Sequence, residues 1–327
     1  MRILINASTS IGDALYCSFI IDNLYRYYPD ASFQILCWSP MATFFRSYPF
    51  VEQVINYNHV EKDNKFALFV LRPQVDIFID MQHTEESAEV ARAINAPISI
   101  GVNPCRSEVD KYKYTIIPQE GEHIYESFLR GFKTYWPDWD IDPNVRFRIK
   151  EQHNIAGLSL LIENGVLPDD DFVILHPGAK GKSKLWDVRK WCDCVEYFYE
   201  RNIKVVLMGS DLLEWGGQPI LDMSLCKEIY NRMMGKCVNL AGETKDILLF
   251  AAICNRAKAY IGLDTGTTHL AALLGIFVVT IFKYTDQKTY DMWRPYSEHS
   301  YVLKNSNLNE INAEDVCRII ETEKVFI

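Results

Sequence analysis

Three short segments carry the residue types from which a group-transfer site can be built. The first, Ser8-Thr9-Ser10-Ile11-Gly12-Asp13, sets one carboxylate at the start of a helical run. A carboxylate placed there serves either as a general base for an incoming hydroxyl or as a first-turn acid that satisfies helix amides. The second, His176-Pro177-Gly178-Ala179-Lys180-Gly181-Lys182-Ser183-Lys184-Leu185-Trp186, opens the densest positive cluster in the chain: five basic residues lie between Lys180 and Lys190 against one acid, Asp187. Glycines let backbone approach an anion and lysines supply counter-charge, although a solvated basic loop has the same composition. The third, Gly262-Leu263-Asp264-Thr265-Gly266-Thr267-Thr268-His269, joins an apolar run to a helix. Its first-turn amides, threonine hydroxyls and helix dipole make an anion site, or the Asp-Thr pair is only a cap and His269 a structural histidine.

Taken together, the segments offer one carboxylate and a cationic, amide-rich wall suited to a diphosphate. That combination suits sugar transfer from a nucleotide diphosphate, in which a base deprotonates the acceptor and cations stabilise the leaving group. Two other phosphate chemistries are disfavoured. The first loop has only Gly12 where a dinucleotide-binding enzyme needs G-x-G-x-x-G, and the 176–186 loop does not satisfy G-x-x-x-x-G-K-[ST].

These segments must be held by a scaffold, and the hydrophobic pattern supplies one. Short β-branched runs alternate with helical periodicity, which predicts parallel sheets in an α/β fold. Strands are expected at 2–6, 32–38, 51–57, 76–81 and 97–102, with helices at 14–28, 41–48 and 85–94. The alternation restarts with strands at 172–176, 205–208, 259–263 and 277–282 and helices near 186–200, 220–234, 245–256 and 267–274. The break lies near 138–152, where Pro137, Asp138, Asp140, Asp142 and Pro143 interrupt regular structure. Each candidate loop follows a predicted strand. Two doubly wound units facing one another would form a cleft at the carboxyl ends of their strands, where open α/β sheets bind ligands.

The chain has 327 residues, 34 Lys+Arg, 43 Asp+Glu and a net charge of −9. Residues 1–150 hold 15 basic and 19 acidic side chains. Nucleic acid and anionic membranes need a clustered positive field, so binding to nucleic acid is not expected and membrane contact is at most peripheral. After Met1-Arg2 the apolar run is only Ile3-Leu4-Ile5, too short for a secretory signal, and nine scattered cysteines suit a reducing cytoplasm. Cys192 and Cys194 lack a second ligand pair and read as two positions on a helix, not a metal site. The aromatic group Tyr135-Trp136-Pro137-Asp138-Trp139 reads as packing at the hinge, with sugar stacking as the alternative.

In order along nearly the whole chain, these motifs resemble the ADP-heptose:lipopolysaccharide heptosyltransferase family, glycosyltransferase family 9. RILINASTSIGDAL (2–15) resembles its opening strand and S-x-G-D loop. LYRYYPDASFQILC (24–37), YPFVEQVI (48–55) and the His-led EHIYESFLRGF (122–132) follow in place. PGAKGKSKLWDVRKW (177–191) resembles its PGA…K-x-W segment and VLMGSDLLE (206–214) its vLxG…E. LAGETKDILLFAAICNRAKAYIGLDTGTTHLAALLGIFVVTIF (240–282) resembles its DTG-x-x-HLAA block. The resemblance implies a GT-B fold with an acceptor-side domain at 1–150, a donor domain at 151–311 and a C-terminal helix, about 312–327, packed back on the first domain. It implies inverting, metal-independent transfer of a heptose from an ADP-activated donor, with no cofactor, to a lipopolysaccharide-core hydroxyl at the inner face of the cytoplasmic membrane.

By residue, the resemblance makes Asp13 the base and Lys184 the diphosphate contact, with Lys180 beside it. Asp264, Thr265, Gly266 and His269 match the donor-binding residues. Asp211, with Glu214 competing, matches the ribose contact, and Thr244 lines the base pocket. The chain departs from the family at 283–287, where Lys-Tyr-Thr-Asp-Gln replaces G-P-[TS]-[DS]-P. The low isoelectric point, about 5.4, favours one alternative, a protein or neutral glycan acceptor; a second alternative, a non-catalytic nucleotide-sugar-binding paralogue, is opposed by the intact Asp13, Lys184 and Asp264-Thr265-Gly266.

Overall fold

A computed structural model describes residues 1–8, 10–38, 41–56, 74–82, 85–102, 112–142, 149–212, 214–215, 218–244 and 246–326. Two compact units divide the chain: Met1–Arg148 with Asp291–Trp293, and Ile149–Tyr290 with Arg294–Ile327.

The first unit runs β1 (Arg2–Ala7), α1 (Ile11–Tyr27), β2 (Ser32–Cys37), α2 (Ala42–Phe45), β3 (Val51–Asn56), β4 (Ile77–Asp80), α3 (Glu85–Ile94), β5 (Ile98–Val102), β6 (Tyr114–Ile116) and α4 (Ile124–Tyr135). Its six strands are ordered β3-β2-β1-β4-β5-β6, and every neighbouring pair is parallel. Strands covered on both faces read as continuous apolar runs, and β1 is buried from Ile3 onward. Gly101 on β5 has no side chain because the Tyr112 ring lies where one would sit.

The second unit runs α5 (Glu151–Glu163), β7 (Phe172–His176), a 3-10 turn (Lys182–Lys184), α6 (Val188–Tyr199), β8 (Lys204–Leu207), a small hairpin of β9 (Glu214–Trp215) and β10 (Gln218–Pro219), and α7 (Asp222–Arg232). It continues through β11 (Val238–Asn239), α8 (Ile247–Cys254), β12 (Ala259–Leu263), α9 (Gly266–Leu273), β13 (Phe277–Lys283), α10 (Gln287–Trp293), β14 (Ser300–Asn305) and α11 (Ala313–Thr322). Its sheet, β11-β8-β7-β12-β13-β14, repeats the first sheet's order. In both sheets the direction of strand succession reverses once, between β1 and β4 in the first and between β7 and β12 in the second. Ligands of open α/β sheets bind at such a reversal, outside the carboxyl ends of the strands.

The C-terminal helix corrects the sequence expectation. The apolar positions Val316 and Ile320 of α11 join Trp191, Val195 and Phe198 of α6 in the second unit's core, so α11 packs on the second unit, where the resemblance had placed it on the first. Spaced one turn apart, they form a single stripe, and each fully buried aliphatic side chain contributes about 1.5–3 kcal/mol. Cys192 and Cys194 both lie on α6, the second buried. Trp136 and Trp139 are buried and pack edge-to-face with one another beside Phe132. Pro143 of the expected hinge lies outside the described residues. No helix among the described residues is long and apolar enough to cross a membrane.

Candidate functional site

The two sheet reversals hold the residues singled out by sequence. At the first, β1 ends at Ala7 and α1 begins at Ile11 with Ser10 as N-cap. The Ser10 hydroxyl donates to Asp13 Oδ2 at 2.8 Å and accepts the Asp13 amide at 3.4 Å. Asp13 is therefore a half-buried first-turn acid, with one oxygen held by the helix cap. That geometry is the capping role, and it also fixes the carboxylate at the strand-end surface. Thr9 lies outside the described residues.

At the second reversal, the basic loop after β7 meets the loop after β12. Lys184 Nζ donates to Asp264 Oδ2 at 2.6 Å. His269, one turn into α9 and buried, brings Nε2 within 3.8 Å of Asp264 Oδ1. Burial alone would raise the Asp264 carboxyl, but His269 and the Lys184 ammonium outweigh it and hold it down at about 2. Thr265 occupies the N-cap without capping through its side chain; its hydroxyl instead meets Thr267 at 3.0 Å and Thr268 at 3.3 Å. α9 thus begins without a side-chain cap, two residues after the aspartate that Lys184 meets, and the first-turn amides of such a helix end suit an anion. Trp186 anchors the basic loop: it is buried and its indole N–H donates to the Ile311 carbonyl at 3.0 Å.

The structure thins out the positive cluster. Arg189 pairs with Asp187 at 2.9 Å, and Lys190 donates to the Asn309 and Ile311 carbonyls, both at 2.6 Å. Both serve the fold. Lys180 and Lys182 are exposed and have no ion pair among the described residues. Lys180 forms an isolated antiparallel bridge with Ile220, and Gly181 donates its amide to the Pro219 carbonyl at 3.2 Å. The hairpin insertion therefore braces this loop.

Asp211 and Thr244 lie at the carboxyl ends of β8 and β11. Asp211 is exposed, and its Cβ lies 3.7 Å from where a Cβ on Gly242 would stand. Gly242 has φ +83, a left-handed conformation open to glycine. The Glu214 side chain lies outside the described residues. In the divergent 283–287 segment, Asp286 caps α10, accepting the Thr289 amide at 2.8 Å.

Sequence reasoning missed one buried acid here. Asp222, the first residue of α7, accepts the Ser210 amide at 2.8 Å and lies 3.5 Å from His176 Nε2. Gly178 and Gly209 pack directly on it. The signal in the sequence was a glycine shortly after each of two neighbouring strands and an acid opening the next helix. A Cβ on Gly178 would fall 1.7 Å from Asp222 Oδ1 and 2.8 Å from its Cα, so Gly178→Ala must displace backbone. We expect a loss of about 1–3 kcal/mol with an unchanged m-value in urea unfolding.

Comparison with known proteins agrees with this geometry. The sequence model of glycosyltransferase family 9 (heptosyltransferase) matches residues 66–321. The chain is 21% identical over 322 residues to "Lipopolysaccharide heptosyltransferase 3" of Escherichia coli, covering 93% of this chain and 89% of that one. A glycosyl transferase family 9 structure from Veillonella parvula superposes with a TM-score of 0.81 at 17% identity, covering 98% of this chain and 96% of that one. The E. coli ADP-heptose lps heptosyltransferase II superposes with a TM-score of 0.77 at 18% identity over 98% of both chains. These likenesses bear out a fold of GT-B type. With the family model spanning most of its length and both sheets ordered alike, the chain belongs to glycosyltransferase family 9, the heptosyltransferases.

Proposed function

We propose that this protein transfers a heptose from ADP-heptose to a hydroxyl of a lipopolysaccharide-core sugar, with inversion at the anomeric carbon. The observation that carries the proposal is Lys184 Nζ, held 2.6 Å from Asp264 beside the uncapped amides of α9. Family membership and the relatives' names support the donor and acceptor classes.

In the proposed reaction the acceptor oxygen attacks the anomeric carbon as the bond to the β-phosphate oxygen breaks, and this single displacement inverts the centre. The acceptor proton passes to Asp13. The departing ADP keeps the bonding electron pair, and its added charge is met by Lys184, with Lys180 nearby, and by the Gly266 and Thr267 amides. These groups supply the positive charge that a metal ion would otherwise bring, so we propose metal-independent transfer without a cofactor. Asp264 and His269 orient Lys184; Asp211 takes the ribose hydroxyls and Thr244 lines the base pocket. In this reading the acceptor is met at the cytoplasmic face of the membrane. A neutral glycan or protein acceptor is the second reading, favoured by the absence of a basic excess in residues 1–150.

A thermal-shift panel of ADP, UDP, GDP and CDP tests the donor. We expect ADP to stabilise the protein most. Saturation at about a hundred times the dissociation constant corresponds to about 2.7 kcal/mol. No shift with any of the four would overturn the proposal, and a preference for another base would overturn the ADP assignment.

A further inference from the structure

Behind the Ser8–Asp13 loop lies a buried carboxyl group that the donor site does not use. Asp80 ends β4 at 0% exposure, and its register partner across the first sheet's reversal is Asn6. Its neighbours approach with donors. Asp80 Oδ1 accepts from Asn6 Nδ2 and from the Gln82 amide, each at 3.0 Å. Asp80 Oδ2 accepts from the Tyr112 hydroxyl, whose ring is seated on Gly101.

The network continues into the loop. Asn6 Oδ1 accepts the Ser8 amide at 3.2 Å. The Ser8 hydroxyl is shared between Asn6 Oδ1 and Gln82 Oε1, and the Ser8 carbonyl accepts the Trp38 indole N–H at 2.9 Å. Two residues further on, Ser10 holds the Asp13 carboxylate. Converging donors call for an acceptor with two oxygens. An apolar residue would orphan them, and an amide would turn an N–H against one of them.

We infer that Asp80, together with Tyr112, is a positioning residue for Asp13: through Asn6 and Ser8 it fixes where the Ser8–Asp13 loop leaves the sheet and so where the base points. This rests on the proposed role of Asp13 as the base. Burial raises the Asp80 carboxyl, and the hydrogen bonds from Tyr112, Ser87, Gln82 and Asn6 offset only part of that, leaving it at about 7. Ionised, Asp80 accepts from all its donors; protonated, it carries a donor of its own and must displace one. The network therefore loosens as pH falls through about 7. Among the described residues, the other titratable groups facing it are the Tyr112 phenol and the Cys17 thiol of α1, which also senses Asp13 and Cys37. None of these is a cation that would hold Asp80 ionised.

The test compares wild type, Asp80→Asn and Tyr112→Phe by release of ADP from ADP-heptose against pH, by ADP affinity, and by deuterium uptake over residues 6–16. Small misplacements of a reacting group cost up to about a hundredfold. We expect Asp80→Asn to lower kcat by about 10–100-fold, to leave ADP affinity within about twofold, to erase an acid limb near pH 7 and to quicken uptake. Tyr112→Phe removes one hydrogen bond that favours the ionised form, so its limb moves to higher pH and its loss is smaller, about 3–10-fold. An acid limb and kcat unchanged in Asp80→Asn would overturn the inference. So would equal loss of ADP binding and kcat in both variants, which would mark a general role in the fold. If the wild type releases no ADP, the proposed activity fails separately, and unchanged uptake in Asp80→Asn still overturns the role assigned to Asp80.

Discussion

Asp13→Asn is expected to lower the turnover number by about 10²–10⁴-fold, the range general-base catalysis contributes, while the dissociation constant for ADP stays within about twofold. The two effects separate because Asp13 opens α1 in the first unit, whereas the residues proposed to hold the diphosphate all lie in the second. The substitution is nearly isosteric. Ser10 still accepts the amide at position 13, so the helix cap survives. What is lost is a first-turn negative charge, about 0.3–1 kcal/mol of helix stability at an exposed site. The two roles open to Asp13 thus give opposite signatures. A capping acid lowers the melting temperature slightly and leaves turnover intact; a base loses turnover with little change in melting. Steady-state kinetics together with calorimetric titration of ADP distinguishes them, and a variant retaining more than about a tenth of wild-type turnover would reduce Asp13 to a cap.

How much of this was visible beforehand follows the strength of the local signals. Strands buried on both faces announce themselves: 172–176 and 259–263 were read to the residue. Three of the four strands at the edges of the two six-stranded sheets were not read. β6 has three residues, β11 has two, and β14 is half-exposed along most of its length, so none forms a continuous apolar run. The helix α11 was expected from the resemblance alone, which placed it on the first unit, whereas its Val316 and Ile320 join the second unit's core. Composition likewise counts charges without showing what they pair with. Five bases in eleven residues read as one cluster, yet Arg189 and Lys190 are tied to Asp187 and to backbone carbonyls. The buried acids Asp80 and Asp222 stood beyond sequence reasoning because most of their donors are distant in sequence, Asn6 lying 74 positions from Asp80 and Ser210 lying 12 from Asp222.

The charge arrangement around Lys184 leads to the second large effect. Lys184→Ala is expected to weaken ADP binding by about 10–100-fold, matching the roughly 1.5–3 kcal/mol of a hydrogen bond to a charged group. Because the diphosphate gains charge as the sugar leaves, the loss in kcat/KM should be larger, about 10²–10³-fold. Part of that loss comes from Asp264. Its carboxyl is held at about 2 by His269 and Lys184 against the opposing effect of burial. Without the lysine it remains negative, facing the incoming diphosphate with only His269 beside it. The double variant Lys184→Ala/Asp264→Asn should therefore bind ADP more tightly than Lys184→Ala alone, a non-additivity expected of residues in direct contact. Lys184→Arg keeps the charge but replaces a compact ammonium with a planar fork, and should recover affinity more fully than kcat. The cycle is read by titrating ADP into the wild type, both single variants and the double variant. Additive effects would mean that Lys184 and Asp264 act on the donor separately, and unchanged affinity and rate in Lys184→Ala would remove the lysine from the donor site altogether.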